Sequence, residues 1–107
     1  MLEKNVEKYL KDELKKIGID CLKFISPGYR GAPDRICIGQ NMVFFVETKT
    51  LTGRLSKLQE VFIKRLAIKE IPVYVVKSKK EVDELVERYK HEVCSERISA
   101  NSNRQNN

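Results

Sequence analysis

The chain has 107 residues, 41% hydrophobic and 34% charged, with a formal net charge of +6 and a pI near 9.3. That length supports one hydrophobic core rather than two, and the composition is that of an ordinary globular domain. With no signal peptide or membrane-length apolar run in view, a cytoplasmic location is expected, and the positive balance favours a polyanionic partner, most commonly nucleic acid.

Leu2, Val6, Leu10, Leu14 and Ile17 recur every three or four residues, which predicts an amphipathic helix over 2–16, stopped by Gly18. Residues 19–25 read as a first strand. "SPGYRGAP" (26–33) is dense in glycine and proline and is a loop. A second strand is predicted over 34–38 and a third over 42–49, joined by a tight turn at Gly39-Gln40-Asn41. After the loop "TLTGRLS", Ser56 is a good N-cap for a helix that carries Leu58, Val61, Phe62, Leu66 and Ile68 along one side and ends near Glu70. Pro72 opens a fourth strand over 73–76, rich in β-branched residues. Ser78 caps a third helix with Val82, Leu85, Val86 and Tyr89 at helical spacing. From Cys94 onward almost nothing is apolar. We therefore expect one domain over 1–93 and a polar, disordered tail over 94–107.

The order α-β-β-β-α-β-α predicts an α/β fold, a mixed sheet flanked by helices. The first three strands form an antiparallel meander, and the third strand, second helix and fourth strand form a right-handed βαβ unit. Cys21, Cys37 and Cys94 are odd in number and include no C-x-x-C pair, so neither a disulfide framework nor a zinc site is indicated. Cys21 and Cys37 fall in strands as small core residues.

One stretch is odd. The apolar run Met42 to Val46 leads straight into Glu47 and Lys49, and Asp34 opens the strand before it. If the turn is the two-residue loop Gln40-Asn41, Gly39 pairs with Met42, Ile38 with Val43 and Ile36 with Phe45, and Asp34 lies opposite Glu47. Lys49 then shares the face of Glu47. An odd loop would place the carboxylates on opposite faces. The even register also stacks Ile36 and Ile38 on Phe45 and Val43 as a core, and we adopt it.

Two adjacent carboxylates repel unless a cation or proton relieves them. Their oxygens suit Mg²⁺ or Mn²⁺, which polarises a phosphate and acidifies a bound water, while a lysine beside them stabilises developing charge. A basic protein with this constellation can cut phosphodiesters. By spacing alone a plainer reading stays open, with Asp34 a turn residue and Glu47 and Lys49 a surface ion pair.

Pro33-Asp34 followed by Glu47-Thr48-Lys49 fits the P-D…(D/E)-x-K pattern, and the chain resembles PD-(D/E)XK nucleases with their restriction-endonuclease-like core. More narrowly it is similar to stand-alone VRR-NUC domains of phage and bacteria. The run "EKNVEKYL", "KFISPGYRGAPDR", "FFVETKT", "GRLSKLQ", "PVYVV" and "KEVDELV" comes in the expected order from Glu3 to Val86. The resemblance implies Asp34 and Glu47 as metal ligands, with the Thr48 backbone carbonyl a third. It implies Lys49 as the catalytic lysine and Gln59 as an orienting residue. Glu7, with Glu3 beside it at i, i+4, is the acidic residue lent by the first helix to a second metal or a water. Thr48 stands where relatives commonly carry an aliphatic residue. Its side chain is expected on the face opposite Glu47 and away from the chemistry.

Lys23, Arg30, Arg35, Arg54 and Lys57 flank these segments and are expected to hold DNA phosphates. Tyr29 is a lone loop aromatic able to stack on a base. No base-reading element is seen, so recognition of shape or branching rather than sequence is expected. Stand-alone members of this family resemble homodimeric Holliday-junction resolvases in architecture. The resemblance therefore implies a Mg²⁺- or Mn²⁺-dependent endonuclease acting as a homodimer on branched DNA such as Holliday junctions, without a small-molecule cofactor. The rivals are a catalytically silent DNA-binding module and an RNA-cutting enzyme.

Overall fold

The computed structural model describes the backbone of residues 3–105 and the side chains of residues 4–92. The elements follow the expected order: α1 (Glu3–Lys16), β1 (Asp20–Lys23), β2 (Arg35–Gly39), β3 (Met42–Thr48), α2 (Lys57–Ile68), β4 (Val73–Val76) and α3 (Lys79–Gln105). The sheet runs β1-β2-β3-β4, antiparallel through the meander and parallel between β3 and β4. The backbone of α3 continues to Gln105, through the stretch read as a polar tail. The Cys94 side chain lies outside the described residues.

The even register holds. Gly39 pairs with Met42, Ile38 with Val43 and Ile36 with Phe45. Asn41 takes a left-handed φ of 58° in the two-residue turn, a conformation that Asn tolerates better than most residues.

The main core, however, lies on the other face of that ladder. Cys21, Cys37, Phe44 and Val46 are packed with Val6, Leu10 and Leu14 of α1 and Val82, Leu85 and Tyr89 of α3. Ile38 and Val43 remain 42% and 40% exposed. Helix coverage decides the matter: α1 and α3 each set an apolar stripe against the face of Cys37, Phe44 and Val46. α2 packs against β4 and contributes no buried residue, although Leu58, Val61 and Ile68 recur along it. On the core side Phe44 stacks on Tyr89 with centroids 4.1 Å apart, and the hydroxyls of Tyr74 and Tyr89 share a 2.8 Å hydrogen bond. Burial, reinforced by that bond, pushes the Tyr89 pKa well above its ordinary value.

The loop between β1 and β2 approaches the α2 backbone closely at Gly31. Gly31 has φ +87°, and a Cβ built there would lie 2.4 Å from the Leu58 carbonyl carbon and 2.7 Å from the Gln59 nitrogen. Gly28, at φ +80°, faces open space. Gly28→Ala should therefore cost about 1–2 kcal/mol for its backbone conformation alone. Gly31→Ala should cost more than about 3 kcal/mol, because helix backbone cannot yield as a side chain does. Denaturant melts of the two variants check this, and equal losses would mean that the loop does not depend on its seat on α2.

Candidate active site

Glu47 ends the apolar run on the sheet face shared with Val43 and Phe45, and is only 6% exposed. A carboxylate so buried needs partners. The Gln59 Nε2 donates to its Oε1 at 3.1 Å, and the Lys49 Nζ lies 3.8 Å from the same oxygen. Gln59 reaches it because of how α2 begins. The Ser56 N–H donates to the Gln59 Oε1 at 2.8 Å while the Ser56 Oγ accepts the Gln59 N–H at 3.1 Å, a complete capping box. With its carbonyl oxygen committed to the cap, the Gln59 amide turns its NH₂ toward Glu47. Lys49 is placed by its own N–H, which donates to the Val76 carbonyl at 3.0 Å and ties it to the end of β4.

Asp34 sits one residue before β2. Its carbonyl accepts the Phe24 N–H at 2.9 Å, so strand pairing with β1 continues through it, and one more step of the β2–β3 ladder sets Asp34 across from Glu47. Its carboxylate does not simply project toward Glu47. Oδ2 accepts the Thr48 hydroxyl at 2.6 Å and Oδ1 accepts the Thr48 N–H at 3.3 Å. Thr48 is fully buried on the α1–α3 face, as expected, yet its hydroxyl is a direct partner of Asp34. Face alternation along β3 could not reveal this, since Asp34 lies at a bend outside β2 and its carboxylate reaches around the strand end.

On that same side the Arg35 Nε donates to the Glu7 Oε1 at 2.8 Å, and its Nη1 reaches the Cys21 carbonyl at 3.5 Å. Both side chains are largely covered, at 15% and 20% exposure. Arg35, expected to meet phosphate, is thus engaged with Glu7. The Glu3 side chain lies outside the described residues. Beneath them Cys21 and Cys37, directly paired across the strands, hydrogen-bond to one another. That bond and burial push the Cys37 thiol well up, which keeps it a neutral core group. Lys23, Arg30, Arg54 and Lys57 are exposed. Lys23 pairs with Arg35 at the Asp34 end of the sheet, and Lys57 opens α2 two residues before Gln59.

Gln59, Glu47 and Lys49 thus form one contact group and Asp34 with Thr48 a second, brought together at the end of β3, with Glu7 and Arg35 behind them. Among the described residues no three His, Cys, Asp or Glu side chains gather as a metal cluster. Asp34 and Glu47 offer carboxylate oxygens, and Mg²⁺ is commonly held by one or two carboxylates with several waters retained. The residues fit a hard divalent ion.

The Thr48 hydroxyl should then matter through Asp34. Thr48→Val is nearly isosteric and should lower Mn²⁺ affinity by about 10–100-fold, the usual scale for losing a hydrogen bond to a metal-binding carboxylate. Thr48→Ser should recover most of it. Calorimetric Mn²⁺ titration of both variants is the check, with melting curves to confirm folding. A Thr48→Val protein that binds Mn²⁺ as wild type does would end this role.

The VRR-NUC domain family profile matches residues 8–80. A solved VRR_NUC domain superposes with a TM-score of 0.76 at 32% identity, covering 81% of this chain and 96% of that one. A protein of Acyrthosiphon pisum secondary endosymbiont phage 1 named "Putative nuclease p44" is 46% identical over 48 residues, covering 44% of this chain and about half, 52%, of the phage protein. No helix among the described residues is long and apolar enough to cross a membrane. Matched along most of its length in profile and sharing its α/β architecture with a solved member, the chain belongs to the VRR-NUC domain family.

Proposed function

We propose that the protein is a Mg²⁺- or Mn²⁺-dependent endonuclease that hydrolyses phosphodiesters in structured or branched DNA, such as four-way junctions, during phage or bacterial DNA replication, recombination or repair. The observation that carries this reading is a buried carboxylate, Glu47, held by Gln59 and Lys49 and set across the strands from Asp34. A surface ion pair needs neither the burial nor the glutamine.

Asp34 and Glu47, with the Thr48 carbonyl, would hold the ion. When bound, it polarises the scissile phosphate and lowers the pKa of a water. In hydrolysis the water oxygen bonds to phosphorus, the bond to one strand oxygen breaks, and that oxygen leaves as a hydroxyl after taking a proton. Lys49 presents its ammonium to the phosphoryl oxygens as their negative charge builds. Gln59 keeps the Glu47 carboxylate in one orientation. Glu7, balanced by Arg35, supplies a further acidic group behind Asp34. Lys23, Arg30, Arg54 and Lys57 draw in the backbone, with an affinity that falls steeply with salt.

Matched linear, flap and four-way-junction DNAs incubated with Mg²⁺, Mn²⁺ or chelator provide the test. Cutting should need metal, be strongest on the branched substrates, and fall at least about 100-fold in Lys49→Ala and Glu47→Ala. Full activity in chelator, or in either variant, would remove the reading.

A homodimer is the proposed assembly. Leu22, Ile38 and Val43 project from one sheet face, 51%, 42% and 40% exposed, on the side where α2 packs mainly against β4 and buries none of its own residues. An apolar face of that kind suits a two-fold contact with a second copy. Val43→Asp should leave the fold intact and shift the protein from dimer to monomer in analytical ultracentrifugation. Monomer in the unmodified protein, with or without junction DNA, would rule out paired cleavage.

A further inference from the structure

Beside the candidate active site the loop and α2 enclose a groove of about 340 Å³ that the catalytic reading leaves unused. Its walls include Tyr29, Arg30, Leu58, Phe62 and Arg65. Ser26-Pro27-Gly28-Tyr29 forms a turn closed by the Tyr29 N–H on the Ser26 carbonyl at 3.1 Å, with Gly28 at φ +80°. A positive φ at the third residue is what a type II turn requires, and proline at the second is favoured there. Tyr29 is thus presented from a fixed backbone. Phe62 meets its ring edge to face, centroids 5.9 Å apart, and the Arg65 guanidinium stands 5.4 Å from its centroid. Even so, Tyr29 stays 50% exposed, and Leu58 beside it is 50% exposed as well.

We infer that this groove receives an unpaired nucleotide of the substrate strand, the base stacking on Tyr29 and the phosphate lying between Arg30 and Arg65. The inference rests on the nuclease reading only for its place beside the scissile bond. A held aromatic ring flanked by two guanidinium groups is complementary to a base with its phosphate, because every base offers a π-face and the phosphate is anionic. A peptide without acidic side chains would leave both arginines without a counter-charge. The groove is coupled to the carboxylates through Gly31, whose backbone rests on Leu58 and Gln59, and through the Gln59 amide on Glu47. Bases inside an intact duplex are stacked on their neighbours and cannot lie on Tyr29. Only a flap, a branch point or a frayed end offers one. The groove would therefore act as a selector for branched over continuous duplex DNA, independently of sequence.

The test separates this inference from the nuclease reading. Short oligodeoxynucleotides carrying 2-aminopurine, single-stranded or in a continuous duplex, are titrated with protein in chelator, where no cutting occurs. Single strand should bind with fluorescence quenching. Tyr29→Ala should lose the quenching and about 10-fold in affinity, the range for one stacked base, with duplex binding unchanged. Tyr29→Phe should restore both, and Arg65→Gln should weaken single-strand binding and flatten its salt dependence. No quenching with any oligonucleotide, or equal weakening toward single strand and duplex in Tyr29→Ala, overturns the inference and leaves the groove to another occupant such as a peptide. Cleavage of linear and flap DNA in Mn²⁺ by the same variants gives the separate reading. Wild-type cutting without Tyr29-dependent quenching keeps the nuclease and discards the groove; Tyr29-dependent quenching without any cutting does the reverse.

Discussion

A carboxylate held out of water at the tip of an apolar strand constrains everything around it. Glu47 is 6% exposed, and an ionised carboxylate in such a place loses several kcal/mol of hydration that only nearby donors can offset. Lys49 supplies charge from the same strand end, but at 3.8 Å and only partly buried it is not enough alone. The hydrogen bond comes from Gln59, which reaches only if α2 starts where it does. That start is fixed by the Ser56 cap and by the loop seated through Gly31. Loop, cap and strand end therefore stand or fall together, although they lie far apart in the chain.

The sheet divides labour between its faces. One face, under α1 and α3, carries the closely packed core and most of the burial that stabilises the domain. The other is covered lightly by α2, whose side chains are all at least partly exposed. β3 belongs to both: Phe44, Val46 and Thr48 are anchored in the core, while Phe45 and Glu47 face the site. A strand gripped on one side can hold reactive groups still on the other without a second full core. Asp34 joins the two sides, since it stands across from Glu47 yet bonds to the buried Thr48.

Local pattern carried much of this. A two-residue turn allowed one good register, so the placement of Asp34, Glu47 and Lys49 could be read from counting, and the Ser56 cap with Gln59 three residues on is a direct sequence signature. The core face was misread because β3 is apolar on both sides: Val43 and Phe45 look as good as Phe44 and Val46, and strand periodicity has no vote when alternation is missing. Only the helices broke the tie. Arg35 looked like a phosphate ligand because a single charge in a sequence carries no partner with it; Glu7 stands 28 positions away. Tyr29 meets Phe62 and Arg65 across similar distances, so their cluster left no local trace.

The charges are arranged in a way that links the proposed ion and the proposed substrate. Lys23, Arg30, Arg54 and Lys57 are exposed, and the net charge of +6 attracts a polyanion from a distance. At the centre, Asp34 and Glu47 repel the same polyanion at close range. A phosphate settles there at much lower cost once the carboxylates have been neutralised, so cation and nucleic acid must each raise the affinity for the other by the same factor. Arg35 adds to this by balancing Glu7 from within, which keeps a third carboxylate near the strand end from opposing the substrate. On that proposal, long-range attraction would bring DNA to the surface whether or not the ion is present, while close engagement at the strand end would depend on both.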